Sequence, residues 1–403
     1  MDFGFDRLGV IMTEKNKKTV KEHYIPKAIL EKFFSSNKFY ESLVSSRKIY
    51  ATTSLNAMCE RNTYEHPELD ENYIENILAR TVDSKLVNAV DNIIANINNG
   101  NIGSVYQEAC FNMYSFLICY FRSGAILYEL KNSLKENIDE TKIENFLKII
   151  GDRRYLVGLA KTVVDNYKFA IINSGEENFI LSDQYISTCS LKPKGMFCNI
   201  SNRNIGLKET MILIPIQTKY YLVFYNGKNE LNLDDNKVNF LSKDEVTLIN
   251  TAIYNNSYNK VALKNADDFS TVDKERIVEK SPETCIMKFA DGHTEAAGIK
   301  REVFLLKEHQ ESFDFFRNFS FNKYVNLGRN DKCLCGSNKK FKKCCIEKYN
   351  IASEMFENLK KENQSVYVSS PFAIVEVGVE IAEKNYQDIV EEVEKIRRKK
   401  SKI

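Results

Sequence analysis

Gly328–Cys345 reads GRNDKCLCGSNKKFKKCC and places four of the chain's ten cysteines, Cys333, Cys335, Cys344 and Cys345, within thirteen residues. No other stretch limits its local fold so tightly. Soft thiolates at that density favour Zn²⁺, which takes four sulfur ligands tetrahedrally and without redox chemistry. Cys333 and Cys335 flank a single residue, and Gly336 follows to allow the positive φ of a tight turn. Cys344 and Cys345 are adjacent, so both reach one ion only across a local bend. Arg329, Lys332, Lys339, Lys340, Lys342 and Lys343 surround them. Four thiolates on Zn²⁺ leave a double negative charge, which nearby cations offset while favouring deprotonated thiols. Spacing alone leaves a disulfide pair or reduced structural thiols open, because paired zinc ligands more commonly stand about two to four residues apart.

Gly328-Arg329-Asn330-Asp331, then Cys-x-Cys-Gly-Ser, then Lys-Lys-Phe-Lys-Lys-Cys-Cys resembles the SEC-C motif, a small zinc-binding module that closes the bacterial translocation ATPase and occurs on otherwise unrelated proteins. The resemblance covers about 18 of 403 residues. Lys332 and Leu334 stand where that family usually has proline, and Asn338 where it usually has glycine; none of these is a ligand. The resemblance implies structural Zn²⁺ on Cys333, Cys335, Cys344 and Cys345. It also implies docking towards a protein, a ribosome or a nucleic acid. It implies no catalysis, since four protein ligands leave no open position on the ion.

A chain of 403 residues has room for two or three domains, and 57 basic against 55 acidic residues announce no polyanion partner for the whole molecule. Met1–Val10 carries acids and lacks the apolar core of a secretory signal. Cys110–Phe121, the richest apolar run, is too short to span a bilayer and ends at Arg122. The remaining cysteines are scattered. A reducing, cytoplasmic setting without membrane insertion is the economical expectation.

Helical spacing predicts helices over Lys27–Phe34, Leu69–Asn98, Val105–Leu134, Glu140–Ile150, Arg154–Val164 and Lys243–Asn256. Short strand-like runs follow at Lys168–Ile172, Asn178–Leu181, Met211–Pro215 and Tyr220–Tyr225, with an earlier one near Lys48–Thr53. Cys285–Ala290 and His293–Ile299 read as a hairpin across Asp291-Gly292. Val303–Phe319, Ser353–Glu362 and Lys384–Lys402 read as helices, and Val366–Val379 as β-rich. The expected class is α+β: an α-helix-rich body with a mixed or antiparallel β-sheet region and a small C-terminal zinc module. The expected divisions are a lead-in over 1–19, the body over 20–265, a connecting region over 266–325, the zinc module over 326–348 and a tail over 349–403.

His23-Tyr24-Ile25-Pro26, with Leu30 and Phe33 after it, is similar to the opening of a bacterial domain family of unknown function, domain of unknown function 4238. Glu60-Arg61-Asn62-Thr63-Tyr64, Arg122-Ser123, Phe179–Asp183, Pro215 and Asn250 fit that family in the same order. Gln184-Tyr185 departs from its usual Asn-Pro, and Gly124 from its proline. The family brings no established activity, so the resemblance supplies candidate residues without roles. His23 has the chemistry of an acid, base or ligand, or else fixes the start of a helix by hydrogen bonding. Asp183 suits metal or base work after a strand, or else folds onto backbone in a turn. Arg122 on an apolar helix requires an acidic partner or an anionic ligand, because burying it unpaired is too costly, and a structural pair with Glu60, Glu75 or another acid is the expectation. Glu60 with Asn62 completes a polar cluster or is simply exposed loop polarity.

Two functions are compatible with these residues. One is a binding protein whose zinc module docks the body onto a macromolecular partner. The other is a hydrolase, in the form of a metal-dependent nuclease, with His23, Asp183 and Glu60 around water or Mg²⁺ and Arg122 on a phosphate. The second requires those side chains to converge in one cleft. No phosphate loop, dinucleotide fingerprint, nucleophile elbow or His-Glu-x-x-His is present.

Overall fold

The computed structural model describes residues 21–61, 63–124, 138–192, 205–277, 283–288, 294–299, 303–317, 323–361, 366–369 and 374–377. The chain divides into two compact units, the first ending at Lys280 and the second holding Ser281 onward. The expected lead-in over 1–19 and the helix expected at Lys384–Lys402 lie outside the described residues.

The first unit opens with β1 (Lys21–His23), α1 (Lys27–Phe34), β2 (Lys38–Leu43), β3 (Ile49–Thr53) and β4 (Cys59–Arg61). Pro26 precedes α1 with φ −53°, and its carbonyl accepts the Ile29 and Leu30 N–H groups at 2.9 and 3.1 Å. Ile29, Leu30, Phe33 and Phe34 are buried, and Ser35 ends the helix with a left-handed φ of 51°. This is the apolar stripe and stop that the spacing predicts.

Next come α2 (Tyr73–Leu78), a π-helical turn over Ala79–Asp83, and α3 (Ser84–Asn98). One uninterrupted helix over Leu69–Asn98 was the expectation; it starts later, and the wider turn inserts between its halves. The helix expected from Val105 is likewise two helices, α4 (Ile102–Phe111) and α5 (Met113–Phe121). Asn112 separates them at φ −98° and ψ 7°, its amide donating to the Glu108 carbonyl at 3.0 Å. Such a side-chain bond competes with the helical ladder. All of α5 from Ser115 to Phe121 is buried, as befits a central helix. The pair α6 (Ile138–Gly151) and α7 (Arg153–Asn166) completes the helical part.

The rest of this unit is β5 (Lys168–Asn173), β6 (Leu181–Ser182), β7 (Ser187–Ser190), β8 (Thr210–Gln217), β9 (Tyr220–Asn226), β10 (Val238–Phe240), α8 (Lys243–Asn256) and β11 (Lys260–Leu263). A five-stranded sheet has the order β10-β5-β9-β8-β7, antiparallel except for the parallel β10–β5 pair. A four-stranded antiparallel sheet has the order β3-β2-β11-β6, and β1 pairs with β4. Ser242 and Glu245 form a capping box on α8. Asn250, buried on that helix, accepts the Ile180 N–H at 3.1 Å and donates to the Asn178 carbonyl at 2.9 Å, so it clamps the run that ends in β6.

The second unit contains β12 (Glu283–Lys288), β13 (Thr294–Ile299), α9 (Lys307–Arg317), α10 (Ile346–Lys361), β14 (Val366–Ser369) and β15 (Ile374–Val377). β12 and β13 pair antiparallel as expected, in a mixed sheet of order β13-β12-β15-β14. The architecture is α+β with antiparallel and mixed sheets and a C-terminal cluster of four cysteines.

Candidate functional site

The cysteine loop is built from the backbone outward. Lys332 bridges to Lys340 antiparallel, Cys333 N–H donates to the Lys339 carbonyl at 2.8 Å, and Phe341 N–H donates to the Asp331 carbonyl at 2.8 Å. The turn between the arms passes through Gly336 at φ 80° and Asn338 at φ 58°. Asparagine tolerates the left-handed region, which explains how it stands in place of a glycine. The Asp331 carboxylate accepts the Gly328 N–H at 2.8 Å, tying the start of the motif to its first turn. Cys344 has φ −139° and ψ −98°, the local bend that two adjacent thiols need to face one point. Beneath the loop, Tyr324, Cys333, Phe341 and Cys345 form a small core with Phe315, Leu327 and Tyr349 packed against it.

All four sulfurs lie within 4.8 Å of one another. Cys335 and Cys344 are 3.3 Å apart, and Cys344 and Cys345 3.7 Å. A tetrahedral Zn²⁺ with bonds of about 2.3 Å has sulfur–sulfur edges of about 3.8 Å, so the cage fits such an ion. None of the four is in a disulfide. Hydrogen bonds from Ser337 hold the Cys335 thiol down to about 6, whereas burial pushes Cys345 up. Thiolate on the exposed side is therefore available at neutral pH, and a cation entering the cage displaces the remaining protons.

The candidate residues of the body have other partners. Arg122 is fully buried; its guanidinium pairs with Asp83, lies 3.8 Å from Glu75 and donates to the His23 carbonyl oxygen at 2.6 Å. Burial opposes its charge, but Asp83, with Tyr64, Cys119 and Glu75, holds it protonated above the usual arginine value. Asp83 comes from the π-helical turn, which sets the angle at which it meets the arginine. His23 thus meets Arg122 through its backbone. Its half-buried imidazole is 3.1 Å from the Ser54 carbonyl, and burial lowers its pKa.

Asp183 is fully buried and accepts three backbone N–H groups: Tyr258 at 2.8 Å, Asn259 at 2.7 Å and Lys260 at 3.1 Å. It organises a segment some 75 residues away and not its own turn. Glu60 is exposed on β4, and the acids beside Arg122 are Asp83 and Glu75; Asn62 lies outside the described residues. Glu75 is one of the acids that the sequence offers Arg122, whereas nothing in the sequence points to Asp83 beyond a buried arginine's demand for an acid. Gly124, where the resembled family has proline, lies against Tyr24: a Cβ there would sit 2.8 Å from the tyrosine ring. Tyr24 of the His-Tyr-Ile-Pro run takes the space that a larger residue needs.

Residues 21–267 match the family described as Protein of unknown function (DUF4238). The chain belongs to that family. Residues 329–347 match the SEC-C motif, which is the cysteine loop described above. The chain is also similar to the UPF0225 protein YPTB2098 of Yersinia pseudotuberculosis serotype I (strain IP32953), 40% identical over 73 residues, covering 16% of this chain and 43% of that protein. The match thus spans less than half of that relative. No solved structure matches the chain. Among the described residues, no helix is long and apolar enough to cross a membrane.

Two expectations follow from the buried contacts of this DUF4238 chain. Asp183→Asn turns one acceptor into a donor facing N–H donors, and should cost about 3 kcal/mol of stability in urea titration. A loss below about 0.5 kcal/mol would mean that the three N–H groups find other acceptors. Burial also pushes the Glu75 carboxyl up to about 7, partly offset by Arg122. The folded protein then holds that proton more tightly than the unfolded chain, whose glutamate titrates near 4.5. Acidification from about pH 7 to about pH 4.5 should add stability through this residue, on the order of 2 kcal/mol. Glu75→Gln should flatten the urea midpoint across that window, and an unchanged profile counts against a desolvated carboxyl.

Proposed function

We propose that Cys333, Cys335, Cys344 and Cys345 hold Zn²⁺ as a structural ion, and that the loop docks the chain onto a nucleic acid, with ribosomal RNA included in that class. The observation that carries this reading is the charge around the cage. Arg329, Lys332, Lys339, Lys340, Lys342 and Lys343 are all exposed, against two exposed acids, Glu347 and Asp331, the second engaged with Gly328 N–H. Six cations exceed the double negative charge of the tetrathiolate ion, leaving a positive surface in a chain of nearly balanced charge. The ion supplies cross-linking of the two arms. The lysines supply counterion release, which makes binding salt-dependent.

The test is fluorescence anisotropy of the full chain with a structured RNA at several salt concentrations. Lys339→Glu and Lys342→Glu together should reduce the salt slope by about 1.5. An unchanged slope and affinity would overturn the nucleic-acid assignment and point the loop towards a protein partner instead. The alternative of a metal-dependent nuclease draws no support from the contacts of its candidate residues. Arg122 is occupied by Asp83 and the His23 carbonyl, and Asp183 by three N–H groups.

A further inference from the structure

The four sulfurs of the cysteine loop are not equally placed. Cys333 and Cys345, 5% and 7% exposed, lie in the small core with Tyr324 and Phe341, whereas Cys335 is exposed and Cys344 half-buried. Leu334 and Ser337, on either side of the Cys335 turn, are open to solvent as well. Gly336 carries the chain round at φ 80°, and among the described residues a Cβ built there would meet nothing within 4 Å. A small solute therefore reaches Cys335 Sγ from the outer side of the loop without displacing the core beneath it.

The two outer sulfurs are also close partners. Cys335 Sγ stands 3.3 Å from Cys344 Sγ, nearer than the 3.7 Å between Cys344 and Cys345. The Ser337 hydroxyl lies 3.1 Å from Cys344 Sγ on the same side. Backbone geometry decides between the two neighbours of Cys344. Adjacent residues hold their Cα atoms about 3.8 Å apart across a trans peptide, below the roughly 4.4 Å at which ordinary disulfides begin. Cys335, nine residues away, is not bound by that limit. An accessible sulfur amid lysines, with a second sulfur in reach, is the arrangement in which thiols are oxidised reversibly.

We propose that Cys335 and Cys344 form an oxidation site for hydroperoxides, closing to a disulfide that dismantles the metal cage. This rests on the four-sulfur reading of the loop and is independent of what the loop docks onto. With hydrogen peroxide as oxidant, Cys335 Sγ attacks one peroxide oxygen; the O–O bond breaks, an S–O bond forms and the first water leaves. Cys344 Sγ then attacks Cys335 Sγ, so the S–S bond forms, the S–O bond breaks and the second water leaves. Two sulfurs give up two electrons and one peroxide is reduced to two waters. The protons come from the thiols or, where a cation holds them as thiolates, from solvent. Cys333 and Cys345 then remain as two ligands where a structural zinc site needs four, so the oxidised loop no longer retains the ion. A reducing thiol reverses the step by exchange.

Peroxide titration of the zinc-loaded full chain tests this, with metal release followed by a chromogenic chelator and free thiols alkylated before peptide mapping. The expected product is a Cys335–Cys344 linked peptide, with Cys333 and Cys345 recovered alkylated and metal released in step with the link. Dithiothreitol and fresh Zn²⁺ should restore the loaded chain. Cys335→His keeps four ligands of ordinary zinc-binding type while removing the outer sulfur, and should slow peroxide-driven release by at least about tenfold. Mapping of the unsubstituted chain decides the matter if that variant fails to hold zinc. The assignment is overturned if the disulfide joins another pair, or if both sulfurs pass to sulfinic acid without one. It is overturned also if metal and thiols survive the peroxide, or if Cys335→His loses zinc as fast as the unsubstituted chain. A chain that takes up no metal would refute the cage instead, and the mapped disulfide alone then upholds or overturns the oxidation site.

Discussion

Arg122→Met should destabilise the first unit by about 3–5 kcal/mol, enough to unfold a domain of ordinary stability under mild urea. Methionine fills most of the volume, so packing is not the cause. The loss arises because Asp83, paired with the guanidinium, and Glu75, 3.8 Å from it, are left in a desolvated site without a counter-charge, while the His23 carbonyl loses its donor. Both carboxyls are already pushed up by burial with the arginine in place. Adding Asp83→Leu and Glu75→Gln to Arg122→Met should recover a good part of the loss, because an apolar cluster of similar volume carries no unpaired charge. Chemical denaturation of the single and triple variants measures both effects. A single-variant loss under about 1 kcal/mol would show that water reaches the site.

Cys344→Ser should release the metal and unfold the cysteine loop, the largest local effect expected anywhere in the chain. Structural Zn²⁺ in small modules is worth about 10–16 kcal/mol of apparent binding energy at neutral pH, and a loop with so small an apolar core has little else to order it. Tyr324, Cys333, Phe341 and Cys345 are its buried residues, and two of these four are proposed ligands. Elemental analysis should fall from one metal per chain to less than about a tenth of that. Amide exchange should rise over residues 328–345 while residues 21–267 keep their protection. Unchanged metal content would contradict the four-sulfur cage. Loss of protection across the whole chain would show that the first unit depends on the loop.

The sequence was most legible where one local interaction dictates geometry. Adjacent thiols that must share an ion imply a bend, and Cys344 has one. The stripe of Ile29, Leu30, Phe33 and Phe34 after Pro26 defines α1 to the residue, and the span of α8 from Lys243 to Asn256 is equally plain. It was least legible in the short strands. β1, β4, β6 and β7 run two to four residues each, too short to show alternation, and each is a strand only because of its partner. The long helices were misread for a related reason. A π-helical turn and the Asn112 break barely disturb apolar spacing, although the first is what delivers Asp83 to Arg122.

What the sequence determined alone was composition at close range: four thiols amid lysines, a helix behind a proline, an arginine that had to find an acid. Which acid it found, which backbone Asp183 receives and the pairing of Lys260 with Glu41 were decided by tertiary structure. Those partners lie roughly 40 to 220 residues apart along the chain. Charge and hydrogen-bonding demand are properties of a residue, but their satisfaction depends on distances that only packing sets.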